Sequence, residues 1–123
     1  MKIEVSNGEI IDKLTIIEIK LKNIKDNSKL LNLKNEYEVL NDAAISIISK
    51  EHKLYKALYN INCKLWDIED NIRDLERKKD FGQEFIETAR SVYFCNDERA
   101  ELKKQINLAT GSTLVEEKSY EQY

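Results

Sequence analysis

Residues 33–75 read LKNEYEVLNDAAISIISKEHKLYKALYNINCKLWDIEDNIRDL, and their rhythm decides the fold. Leu33, Tyr37, Leu40, Ala44, Ile47, Glu51, Leu54, Leu58, Ile61, Leu65, Ile68, Ile72 and Leu75 follow one another at alternating steps of four and three. That spacing makes a helical stripe facing a partner, the pattern of a coiled-coil-like seam. Only Glu51 interrupts it. Two arrangements satisfy the count. One continuous helix would measure about 65 Å, much longer than a small domain is wide. An antiparallel hairpin turning near Ser49-Lys50-Glu51-His52 keeps the spacing and removes Glu51 from the core. The position of Glu51 favours the hairpin.

Upstream, Ser6-Asn7-Gly8-Glu9 matches the S-x-x-E capping box, in which the Ser hydroxyl and Glu carboxylate each satisfy a backbone amide of the other residue. Ile10, Leu14, Ile17, Leu21 and Ile24 then form a stripe at steps of four, three, four and three. Asp26-Asn27-Ser28 is a turn and the next cap. Downstream, Asp80 is expected to cap a helix carrying Phe81, Phe85, Ala89 and Val92. The stripe shifts phase after Asn96-Asp97-Glu98, where a kink or fresh start is expected, and Gly111 suits a helix end. The expected fold is all-α: one domain over 1–123, an antiparallel bundle of about four helices near 7–25, 28–48, 52–79 and 81–110. The last is kinked near 95–97. A short extended lead-in and a tail over 111–123 flank the bundle, and the tail either packs over the bundle end or pairs with residues 3–5.

Composition agrees. The 123 residues include three Gly and no Pro, too few breakers for a β-sandwich or a Gly-rich nucleotide-binding unit. Lys and Arg number 20 against 23 Asp and Glu, so no basic excess recommends nucleic acid. No apolar run reaches the length of about 18 residues that crosses a membrane, and no secretory signal opens the chain. Cys63 and Cys95 stand alone, as thiols do in a reducing cytoplasm.

The chemistry-bearing patterns are sparse. No P-loop, G-x-G-x-x-G, G-x-S-x-G or C-x-x-C is present. His52 lies in the suspected turn and reads as a solvated turn residue. Asp67 and Asp70 on one helical face, with Glu84 and Glu87 on the next helix, are the one set that suggests Mg²⁺, which prefers oxygen ligands. Ion pairing at helical spacing, such as Glu69 with Arg73, explains the same acids without a metal. The segment Arg90 to Arg99 gathers two Arg, a Tyr and an Asn-Asp cap, which would suit an anion at a helix start.

Ser6-Asn7-Gly8-Glu9-Ile10-Ile11-Asp12-Lys13-Leu14-Thr15, Leu65-Trp66-Asp67-Ile68-Glu69-Asp70-Asn71-Ile72-Arg73, Asn96-Asp97-Glu98-Arg99-Ala100 and Gly111-Ser112-Thr113-Leu114-Val115-Glu116-Glu117-Lys118-Ser119-Tyr120 resemble the motifs of a small bacterial family of unknown function. The resemblance spans essentially the whole chain. It implies a cytoplasmic helical protein, sometimes encoded beside genes for cell-surface polysaccharide synthesis, and carries no catalytic residues to transfer. Relatives tend to have a proline-containing break near 47–53, which supports the hairpin. The motifs single out Glu9, Asp12, Lys13, Glu69, Asp70, Arg73, Asn96, Asp97, Arg99, Glu117, Lys118 and Tyr120 as binding candidates. The expected function is a non-enzymatic interaction or accessory role, with a homodimer or another protein as partner and no cofactor, nucleic acid or membrane. The alternative is a small Mg²⁺-dependent hydrolase or nucleotide-binding enzyme using Asp67, Asp70, Glu84 and Glu87.

Overall fold

The computed structural model describes residues 1–123 as four helices and no strand: α1 (Asn7–Asn23), α2 (Asn27–Ala44), α3 (Lys53–Arg77) and α4 (Gln83–Thr110). Each start has a local cause. The Ser6 Oγ accepts from the Glu9 amide at 3.2 Å, and the Asp26 carboxylate accepts from the amides of Ser28 and Lys29 at 2.9 and 3.1 Å. His52 proves to be a cap as well, its Nδ1 accepting from the Leu54 amide at 3.0 Å. The capping box is half-made, because Glu9 turns away to Lys103.

Several expected boundaries move. Helix α2 stops at Ala44 instead of 48, where the Ser46 hydroxyl donates to the Ala43 carbonyl at 2.8 Å amid β-branched isoleucines that propagate a helix poorly. Asp80 does not cap α4. Its carboxylate accepts from the Gly82 amide at 3.3 Å, and α4 begins at Gln83 without a side-chain cap. Past the end of α3, Lys79 adopts φ 54°, and the Asp80 amide reaches back to the Leu75 carbonyl at 3.0 Å. Helix α4 does not restart near 95–97 but runs through to Gly111, which ends it in the left-handed conformation at φ 66°. The tail forms no backbone ladder with residues 3–5; Thr113 Oγ1 donates to the Glu4 carboxylate at 2.8 Å instead.

The break expected near 49–52 exists, with Glu51 exposed and paired to Lys56 at 3.0 Å. The hairpin expected around it does not. Helices α2 and α3 do not pack together; the hairpins are α1–α2 and α3–α4, and α1 packs against all three other helices. This placement explains why α1 is buried on more than one face. Leu14 and Ile17 of its expected stripe are buried, and so are Ile11, Asp12, Thr15 and Ile19. A stripe suffices for a surface helix, whereas a central helix hides most of its circumference.

Where α1, α3 and α4 meet, Ile11, Leu14, Leu58 and Ile106 lose all exposure to solvent. Each contributes about 1.5–3 kcal/mol of burial free energy. The lengths do not match, however. Helix α4 has 28 residues and α1 only 17, about 42 Å against 26 Å. The two-helix arm from about residue 65 to 95 therefore extends past the three-helix core.

Candidate functional site

Close approach of α1 to α4 starts at Gly8. A Cβ there would lie 2.5 Å from the Lys103 carbonyl oxygen, so only glycine fits without displacing α4. Its amide donates to Asn107 Oδ1 at 2.6 Å. From this point the two helices run antiparallel and pair residue by residue. Lys103 Nζ meets Glu9 at 2.7 Å, and Arg99 clamps Asp12 with Nε at 2.9 Å and Nη2 at 2.5 Å. Asp12 is 1% exposed, and Asn62 of α3 donates to both Asp12 and Thr15 at 2.9 Å. The Asp12 carboxylate pushes the Arg99 guanidinium above its ordinary range, chiefly through these hydrogen bonds.

This polar junction joins α1, α3 and α4. Its buried carboxylate has three donors, and each basic group has an acid partner. These bonds tie the three helices together. A second acid, half-buried, is partnered too. Glu18 takes a hydrogen bond from Tyr55 and lies 3.9 Å from Lys50. Burial raises its carboxyl above the usual range, against the pull of Lys50 and Lys22.

The tail closes over the outer side of the same end. Ser6 Oγ donates to Glu116 at 3.1 Å, Lys104 pairs with Glu117 at 3.5 Å, and the Tyr123 hydroxyl donates to Asp97 at 2.6 Å. That last bond pushes the Tyr123 phenol up to about 12. Between the tail and α4 lies an open groove of about 650 Å³, whose lining includes Asp97, Lys104, Glu117, Lys118 and Tyr120.

The motif-derived candidates thus separate into groups. Glu9, Asp12, Asn96 and Arg99 meet at the junction, Asn96 accepting weakly from Arg99 at 3.5 Å. Asp97, Glu117, Lys118 and Tyr120 line the tail groove. Lys13 is exposed on α1. Glu69 and Arg73 pair with each other at 3.3 Å on the exposed side of α3, beside an exposed Asp70. The acids of the magnesium alternative do not converge. Asp67, Asp70, Glu84 and Glu87 are all exposed, and no three His, Cys, Asp or Glu side chains are grouped to hold a metal. The anion site expected near Asn96 also fails, because that segment lies inside α4 and offers no free helix start. Asn62, Lys103 and Asn107 are the functional-looking residues that sequence patterning missed. The available signal was Asp12 and Thr15 interrupting the apolar run of α1, since buried polar groups require partners elsewhere.

One surface remains without an occupant. Leu58, Ile61 and Ile106 are at most 5% exposed where α1 covers the α3–α4 seam. On the arm, Leu75 is 5% exposed, whereas Leu65, Trp66, Ile68, Ile72, Phe85 and Val92 are only half-buried. Phe81, packed edge-to-face on Phe85 at 5.2 Å, is 53% exposed and Ile86 48%.

Fold and site define a class: a small all-α protein with a saturated polar clamp at one end and an uncovered apolar helix pair at the other. The chain belongs to a family of unknown function, DUF6165, whose model matches residues 1–123. No curated protein and no solved structure matches it. No helix is long and apolar enough to cross a membrane.

Proposed function

We propose that the protein works by binding another protein surface, with the α3–α4 arm as its contact face. One observation carries this reading. The chain exposes 8622 Å², whereas a compact monomer of 14.4 kDa exposes about 6,800 Å². The excess of about 1,800 Å² is roughly twice what one partner buries in a standard interface, about 800 Å². The extended lead-in and tail, the outer face of α2 and the arm all contribute to it. The free thiols of Cys63 and Cys95 support a cytoplasmic setting. The scattered acids give the hydrolase alternative no support, and nothing in the side-chain geometry favours a polysaccharide link.

Trp66 is the only tryptophan and lies on the arm, so it reports directly. In dilute solution its fluorescence should be readily quenched by acrylamide, and Trp66→Ala should cost the dilute chain about 1 kcal/mol. A fully shielded Trp66 whose truncation costs about 3–5 kcal/mol, as at a core site, refutes the arm as a contact face.

A further inference from the structure

We infer that the tail is a strap across one edge of the contact face, latched by Tyr123 on α4 and displaced when a partner binds there; this rests on the arm being that face. The last backbone-to-backbone hydrogen bond of the chain runs from the Ser112 amide to the Asn107 carbonyl, at 2.9 Å. Beyond it, side chains hold the tail in two places. At its root, Glu116 takes the Ser6 hydroxyl and lies 3.8 Å from Lys103, while Glu117 pairs with Lys104 at 3.5 Å. At its tip, the Tyr123 ring packs 5.1 Å from Tyr93 and edge-on to Phe94 at 4.8 Å, with its hydroxyl donating to Asp97 at 2.6 Å. Residues 118–122 span the distance between root and tip with no hydrogen bond or ion pair to the helices.

The tip rests where α4 passes from the core into the arm. Val92, one of the half-buried residues of the arm, and Tyr93 line a cavity of about 400 Å³ that Lys118, Tyr120 and Tyr123 line from the tail. A partner reaching Val92, Tyr93 and Phe94 meets the tail already in place, so the two exclude each other. The surface under the tip has the composition of an anchor. Tyr93 and Phe94 pack at 5.0 Å, and the Arg90 guanidinium sits 5.9 Å from the Phe94 ring. Aromatic rings and Arg are the groups that dominate binding energy at protein interfaces. The latch is also built to yield. Ordering residues 118–123 costs backbone entropy at every position, against one charge-assisted hydrogen bond and the contacts of one exposed ring. Such a segment opens at the low end of a protein's stability scale, and a partner that binds only the open form gains affinity as the closed fraction falls.

The test uses the full chain and bis-ANS, a dye that binds exposed apolar surface, in place of the partner. Below saturation, dye fluorescence should rise at least about threefold from wild type to Tyr123→Ala, because the closed fraction is gone. Adding Phe94→Ser to Tyr123→Ala should return it to the wild-type level, which locates the uncovered site at the ring that Tyr123 leaves. Amide ¹⁵N relaxation reads the latch itself. Residues 118–122 should drop below an order parameter of about 0.6 in Tyr123→Ala and stay above it in wild type. Helicity by circular dichroism should stay at the wild-type level, since Phe94 and Tyr123 are both exposed. Equal dye fluorescence in wild type and Tyr123→Ala overturns the strap, and so does a gain that survives Phe94→Ser. Residues 118–122 equally loose in both proteins overturn the latch. A Trp66 fully shielded from acrylamide refutes the arm itself, whatever the dye reports, whereas an open Trp66 with equal dye fluorescence removes the strap alone.

Discussion

Replacing Arg99 with Ala isolates the cost of the polar clamp. In the wild type its guanidinium gives the buried Asp12 two charge-assisted hydrogen bonds, and only the single Asn62 donor remains after truncation. Removing one partner of a buried ion pair typically costs about 3–5 kcal/mol, because the charge left behind has lost its compensation. Asp12 is 1% exposed, but the Arg99 side chain is 30% exposed, so water can enter the space it vacates. That places the expected loss near the lower end, about 3 kcal/mol. For 123 residues the entropy of unfolding converts this to a fall in Tm of about 12 °C. Urea denaturation followed by circular dichroism at neutral pH measures it.

A second substitution separates a stranded charge from simple loss of packing. Asp12→Asn in the Arg99→Ala background removes the orphaned charge and keeps an acceptor for Asn62. It should recover at least about 1 kcal/mol, whereas the same change in the wild type should destabilise by more than that. Arg99→Ala costing under about 0.5 kcal/mol, or Asp12→Asn adding damage to it, would show that the pair does not hold α1 to α4.

Gly8→Ala attacks the same junction from the backbone side: its Cβ would sit 2.5 Å from the Lys103 carbonyl, so α1 must lift away and lose the Gly8–Asn107 bond. Denaturant unfolding should register a loss of about 2 kcal/mol, against the gain that Gly→Ala gives inside an uncrowded helix. The tail responds to pH through Tyr123. Docking favours the neutral phenol and raises it from 10.0 to about 12, so its contribution is full below 10.0 and disappears as pH climbs through about 12. Ultraviolet difference titration should place the last tyrosine ionisation there, and Asp97→Asn should bring it back toward 10.0; an unchanged titration refutes the Tyr123–Asp97 contact.

The seam over 33–75 revealed helices and, through Glu51, a break, because period and exposure are local properties. Which helices pair is not local. The same spacing of four and three runs through α2, which rests on α1 alone, and through α3, which rests on α1 and α4. Spacing records that an apolar face exists and not which neighbour covers it. The clamp was partly legible for the same reason. Asp12, Thr15 and Arg99 stand in quoted motifs, yet Asn62 looks like any polar residue on α3 until α1 is laid across it. Asp80 misled because an Asx turn and an N-cap use the same side chain at nearly the same position.

The two ends of α3 and α4 divide stability from availability. Around Leu58 and Ile106 a third helix removes the seam from water, and the Asp12–Arg99 pair fixes the orientation of that helix. Past Trp66, Ile68 and Ile72 are only half-buried, although Leu75 near the end of α3 is 5% exposed. A two-stranded seam buries less apolar area per residue while ordering the same backbone, at about 1–2 kcal/mol per residue. The arm therefore gains from a partner that covers its half-buried residues, whereas the core around Leu58 and Ile106 needs none.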